Sequence, residues 1–123
     1  MKKYLVSFKS TTNEIKQYLL SLVDIDKRRK ESFSQNIRSS KCNSIIYRAK
    51  DMNYYLMNKK KILQNNNSSI QYIKIIQNIQ QNLNTIIELC STHKDLTTKA
   101  EMETCTTSAL QALERINSII DNF

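Results

Sequence analysis

The chain contains neither glycine nor proline among its 123 residues. Average usage would supply about 15 residues of these two kinds at this length. Glycine-rich phosphate loops, nucleophile elbows and tight primed hairpin turns depend on glycine, so these kinds of site are excluded. A backbone that never uses a left-handed or pre-kinked residue is most easily helical, and we predict an all-α fold.

Apolar residues recur at alternating intervals of three and four residues along most of the chain. This heptad-like spacing is typical of helices that pack at shallow crossing angles. The three regular seams span residues 42–63, 72–90 and 102–123. The segment before them is less regular, because its apolar patches at 15–23 and 33–37 are separated by a polar run.

We place helices near residues 12–37, 41–64, 69–91 and 96–122 of a single helical domain, 1–123. Thr11 and Glu14 fit a capping box before the first helix, Ser68 or Ser69 can cap the third, and Asp95 can cap the fourth. The break around 38–41 carries the weakest signal, so one bent helix is the alternative there. Residues 1–10 form an N-terminal arm that is a short strand, an extended segment or an extra helical turn.

Four helices of about 35–40 Å joined by short loops favour an antiparallel four-helix bundle. Long helical hairpins that dimerise are the alternative. No apolar run is long enough to span a membrane. The N-terminal apolar stretch is stopped by Lys9, too short for a secretory signal, and three widely spaced cysteines argue against a disulfide framework. We therefore expect a cytoplasmic protein, with leaderless export as the alternative. Its richness in Lys, Asn and Ile suggests an AT-rich genome.

Positive charge is concentrated in the first half of the chain. Residues 1–61 contain 15 Lys and Arg against five acids, and residues 62–123 contain four against six, within a net charge of +8. The candidate basic surface consists of two clusters, Lys27, Arg28, Arg29 and Lys30, and Lys59, Lys60 and Lys61. Lysines beside stacking tyrosines at 47, 54 and 55 would suit a nucleic acid. A solvated lysine-rich face, with the tyrosines filling core and rim, is the alternative.

Cys90 and His93 have a C-x-x-H spacing that would place both on one helical face. A zinc site needs about four ligands, and only Cys105 could approach from the last helix. His93 is the only histidine, which excludes sites built from two or three histidines. We therefore expect a buried cysteine beside a loop histidine, with no catalytic residue, no metal and no cofactor.

Between Lys74 and Glu88 the predicted third helix carries no charge. Its outer amides are Gln77, Gln80, Gln81 and Asn84. Interface centres are depleted in charge, so this face suits a contact surface; the alternative is that this helix is simply the most buried one.

We predict a non-enzymatic helical protein-binding module, such as a small adaptor, secretion chaperone or immunity protein. It would contact a protein partner through helix faces, and an acidic partner would be attracted to the basic half. A homo-oligomer is a further option. The alternative function is nucleic-acid binding through the clusters at 27–30 and 59–61.

Overall fold

The computed structural model describes residues 2–28, 31–65, 70–93, 95–96 and 98–123. Within these ranges almost every residue is helical and no strand is present. The helices are α1 (Lys2–Val6), α2 (Lys9–Arg28), α3 (Glu31–Asn65), α4 (Ile70–His93) and α5 (Lys99–Asp121). The prediction of an all-α fold is confirmed.

The four long helices form a closed ring, in which α2 and α4 each pack against both α3 and α5. Contacts between neighbouring helices show their directions, because residue numbers rise along one helix as they fall along the other. These contacts are Lys9–Asp121 and Thr12–Asn117 for α2 and α5, Glu14–Arg48 and Tyr18–Lys41 for α2 and α3, Cys42–His93 and Asn53–Asn84 for α3 and α4, and Leu89–Cys105 and Asn82–Arg115 for α4 and α5. Every neighbouring pair is antiparallel, as the sequence predicts.

The heptad-like seams predicted from apolar spacing line the core of this bundle. Fully buried side chains from the three regular seams include Ile45, Met52, Leu56, Ile76, Ile79, Leu83, Ile86 and Leu113. Burying one such side chain contributes roughly 1.5–3 kcal/mol. Lys59 occupies a seam position and lies with its Nζ 5.2 Å from the ring centroid of Tyr4, so its charge lies against an aromatic face.

Within the described ranges, no helix is apolar over enough length to cross a membrane.

The break predicted at residues 38–41 is wrong, because α3 continues through them from Glu31 to Asn65. Helix α2 is described over Lys9–Arg28, and residues 29–30 lie outside the described residues. Serine disfavours a helix interior only slightly, by about 0.5 kcal/mol, so Ser39 and Ser40 are weak breakers. The Arg38 guanidinium contacts the sulfur of Met102 in α5, which holds this part of α3 against the bundle.

The N-terminal segment is helical rather than an extended arm or a strand. Leu5 of α1 is fully buried, and Phe8, in the turn before α2, packs edge-on against Tyr4 with ring centroids 5.2 Å apart. The Tyr4 hydroxyl donates to the backbone carbonyl of Tyr55, 2.9 Å away in α3. The segment therefore closes the end of the bundle where α3 and α5 finish.

Two predicted helix caps are also wrong. Thr11 lies inside α2, which begins two residues earlier at Lys9, so it cannot form a capping box there. The cap of α5 is Thr98 rather than Asp95, because Thr98 has the extended backbone of a cap and its hydroxyl accepts from the Glu101 amide at 3.3 Å. The proposed caps Ser68 and Ser69 lie outside the described residues.

Candidate interaction surface on α3 and α4

The side of α3 that faces solvent carries large aromatic and apolar residues. Tyr47 and Tyr54 are seven residues apart and so share one helical face, opposite the buried seam. They are 71% and 59% exposed. Tyr55, Met57 and Ile62 are exposed beside them. Helix α3 therefore has apolar residues on both sides, whereas a helix that serves only a core needs one apolar side.

These exposed residues are concentrated on one helix. Among the described residues, five of the exposed large apolar side chains lie on α3, and the other three, Val6, Leu20 and Ile70, lie on three different helices. Single exposed apolar residues are ordinary on a protein surface, but a contiguous group points to a contact site. The rings of Tyr54 and Tyr55 also pack edge to face, with centroids 5.8 Å apart, so two members of the group support each other.

The predicted amide face lies directly beside this group. Gln77, Gln81 and Asn84 are exposed on α4 and Gln80 is half-buried, so α4 is not buried all round. The Asn53 side-chain nitrogen of α3 lies 3.5 Å from the Asn84 side-chain oxygen, which joins the two helices along this edge. We call the combined surface the α3–α4 face; its residues are Tyr47, Lys50, Tyr54, Met57, Lys60 and Lys61 on α3 and Gln77, Gln80, Gln81 and Asn84 on α4.

The structure describes the side chains of only one of the two clusters in the predicted basic surface. Lys61 is exposed on the α3–α4 face and Lys60 is half-buried at its edge, but Lys59 lies over the Tyr4 ring on the other side of α3. Arg29, Lys30 and the side chains of Lys27 and Arg28 lie outside the described residues. The structure therefore does not join the two predicted clusters into one surface.

On the side of α3 away from α4, side chains of α3 pair with side chains of α2. The Arg48 guanidinium forms a 2.6 Å ion pair with Glu14 and lies 4.9 Å from the ring centroid of Tyr18. The hydrogen bond to Glu14 raises the pKa of Arg48 above its ordinary value. Arg48 is therefore already paired within the molecule.

The thiols and the histidine meet in the core rather than on the surface. The Cys42 sulfur lies 3.7 Å from His93 Nδ1, and the Cys105 thiol donates to the Leu89 carbonyl at 3.0 Å. Spacing along the chain pointed to Cys90 and Cys105 as neighbours of His93, and it missed Cys42, which comes from a different helix. His93 itself is the last residue of α4 and is 2% exposed, so its placement in a loop was wrong.

The cysteines of this core cluster are buried and packed against other core residues. All three cysteines are present as thiols. A hydrogen bond with Cys42, together with burial, raises the pKa of the Cys90 thiol far above its ordinary value. The nucleophile and the metal ligand are the thiolate form, which this environment disfavours. Within the described part of the chain, no three His, Cys, Asp or Glu side chains are grouped to hold a metal ion.

Comparison of the chain with protein-family models, with curated proteins and with solved structures gives no match.

Proposed function

We propose that the chain is a non-enzymatic protein-binding module that contacts its partner through the α3–α4 face. The observation that carries this proposal is the exposure of Tyr47 and Tyr54 beside a row of uncharged amides. Tyrosine is enriched at protein interfaces and often dominates their binding energy. Interface centres are depleted in charge, and α4 supplies an uncharged stretch between Lys74 and Glu88.

A non-enzymatic role is supported by the state of the reactive side chains. Cys90 is the nucleophile that the sequence offers beside a histidine, and its thiol is buried and held protonated. A cysteine nucleophile needs a lowered pKa or an adjacent base that can take its proton, as well as access to a substrate. Cys42 does have an adjacent base, since its sulfur lies 3.7 Å from His93 Nδ1, but the two side chains are only 0% and 2% exposed and so lack access to a substrate. The buried thiols therefore suit core packing better than catalysis.

A single-stranded nucleic acid is the second candidate, because exposed tyrosines beside lysines also suit base stacking and phosphate contact. Tyr54 and Lys61 are seven residues apart on the same side of α3 and would supply both contacts. The cation count favours a protein partner, since Lys59 lies over Tyr4 and only Lys50, Lys60 and Lys61 on α3 border the tyrosines.

The proposal is tested by affinity capture from a lysate of the source organism, with quantitative mass spectrometry. The wild-type chain is compared with the double variant Tyr47→Gln/Tyr54→Gln. We expect proteins captured by the wild type to fall at least tenfold with the double variant, because its aromatic anchors are lost. Circular dichroism should show the same helix content, since exposed substitutions usually change stability by about 0.5 kcal/mol or less.

The matched control is Leu20→Gln, which removes an exposed apolar residue from α2, away from the α3–α4 face. This control should capture the same proteins as the wild type. Equal capture by all three chains would contradict the proposal. Capture of nucleic acid by the wild type, lost with Lys60→Gln/Lys61→Gln and weakened steeply by salt, would favour the second candidate.

A further inference from the structure

We infer that the partner at the α3–α4 face is an amphipathic helix with an acidic flank, whose acids meet the lysines at one end of that face. This inference rests on the proposed function and specifies the partner's chemistry. Long helices present ridges and grooves, and a helix of apolar and aromatic anchors is the element that packs into them.

The length of the face suits a single helix. Residues 47–61 of α3 and 74–88 of α4 run side by side in opposite directions and extend for about 21 Å at 1.5 Å per residue. A partner helix of about four turns covers this distance. Its apolar side would contact Tyr47, Tyr54 and Met57, and its polar side chains would meet the amides of α4.

The charges on this face are unevenly distributed along its length. Helices α3 and α4 are antiparallel, and Asn53 contacts Asn84. Moving seven residues forward along α3 and seven residues back along α4 from this contact places Lys60 level with Gln77. Lys60 and Lys61 therefore lie at the same end as Lys74. We call these three residues the lysine end; Lys60 and Lys61 belong to the α3–α4 face as defined, and Lys74 is exposed about one helical turn before Gln77 on α4.

The other end of the face is close to neutral. Glu88 lies there on α4, four residues beyond Asn84, and Lys50 and Asp51 lie at about the same level on α3. All three of these side chains are exposed. Acids on a partner helix are therefore favoured at the lysine end and gain little at the other end.

The charge also favours a partner of different sequence over a second copy. Each chain carries a net charge of +8, so two copies repel each other overall. Juxtaposed like charges oppose association, whereas an acidic helix is attracted to the face and oriented on it. Dimerisation is consequently an outcome that would contradict the inference.

The test is a selection from a library of displayed helical peptides with randomised surface positions, using the full chain as bait. We expect enrichment of peptides with an apolar stripe flanked by Asp and Glu. The affinity of the strongest peptide is then measured for the wild type and for Lys61→Glu/Lys74→Glu. We expect at least a tenfold loss, about 1.4 kcal/mol, because two attractions become repulsions.

The control is Lys16→Glu/Lys99→Glu, which changes the net charge by the same amount on α2 and α5. This variant should bind the peptide with an affinity less than threefold below that of the wild type. The comparison therefore distinguishes a local contact at the lysine end from a general effect of net charge. A peptide in which the acids are replaced by Lys should regain binding to Lys61→Glu/Lys74→Glu. This exchange would establish that the acids contact the lysine end.

The remaining outcomes separate the two proposals. If the enriched peptides are neutral or basic but their binding still requires Tyr47 and Tyr54, the inference of an acidic partner is overturned, and the α3–α4 face remains a binding site. Peptides that ignore both tyrosines would overturn the inference and the proposed function together. The inference of an acidic helical partner would be overturned if no peptide is enriched. It would also be overturned if the chain forms a concentration-dependent dimer that is lost with Tyr47→Gln/Tyr54→Gln.

Discussion

At the residue scale, the same residue type takes different roles according to its helical position. Tyr4 is half-buried, lies under Lys59 and donates to the Tyr55 carbonyl, and burial raises its pKa. Tyr47 and Tyr54 face solvent on α3. The interval between seam positions predicted which residues face the core, but a tyrosine fits a core, a rim or a surface equally well. Tyr47 and Tyr54 are exposed because they lie on the side of α3 opposite its buried seam.

A pH dependence follows from the core thiols. The folded state raises the pKa of Cys90 above its unfolded value of 9.0. Below pH 9 both states hold the proton, so this contribution to stability is fully present. Above pH 9 only the unfolded state loses the proton, and the free energy of unfolding should fall by up to about 1.4 kcal/mol per pH unit. Urea unfolding followed by circular dichroism at several alkaline pH values measures this slope.

Cys90→Ala should make that alkaline slope shallower, because one buried thiol is removed. The matched control is Ile86→Val, a core change on the same helix that costs about 1 kcal/mol and keeps the thiol. Its slope should equal that of the wild type. A Cys90→Ala slope as steep as the wild-type slope would show that this thiol does not carry the effect.

At the element scale, the position of the helices was predicted better than their ends. The seams at 42–63, 72–90 and 102–123 identify α3, α4 and α5, because a heptad-like pattern over many turns has one simple explanation. The break that the sequence predicted at 38–41 was wrong, because Ser39 and Ser40 are only weak breakers. The contact of Arg38 with Met102 favours a continuous α3 there and comes from a distant part of the chain.

Substitution of Ser40 tests the continuity of α3. Ser40→Pro removes a backbone hydrogen bond and clashes with the preceding turn, so we expect a loss of about 3 kcal/mol in the free energy of unfolding. Ser40→Ala, at the same exposed position, should be neutral or stabilising by up to about 0.5 kcal/mol. Urea unfolding compares the two variants. Equal stability of the proline and alanine variants would indicate a loop at 38–41.

At the scale of the whole molecule, a chain without glycine or proline builds an antiparallel bundle whose core holds its cysteines and histidine. What remains on the outside is a set of long helix faces, of which the α3–α4 face carries the tyrosines and the uncharged amides. The amide side of this face could be named from the sequence, because the stretch without charged residues between Lys74 and Glu88 is read directly from it. The predicted bundle already places α3 beside α4, but it did not name the residues of α3, such as Tyr54 and Met57, that border the amides, because the contact between Asn53 and Asn84 fixes that register.

Site-specific photo-cross-linking tests the central claim, that the α3–α4 face binds a protein, most directly. A benzophenone amino acid replaces Tyr54 in one chain and Leu20 in another, and each is irradiated in cells of the source organism. We expect position 54 to yield one dominant protein adduct that position 20 does not yield. Identical adducts at both positions, or adducts at position 20 alone, would contradict the claim.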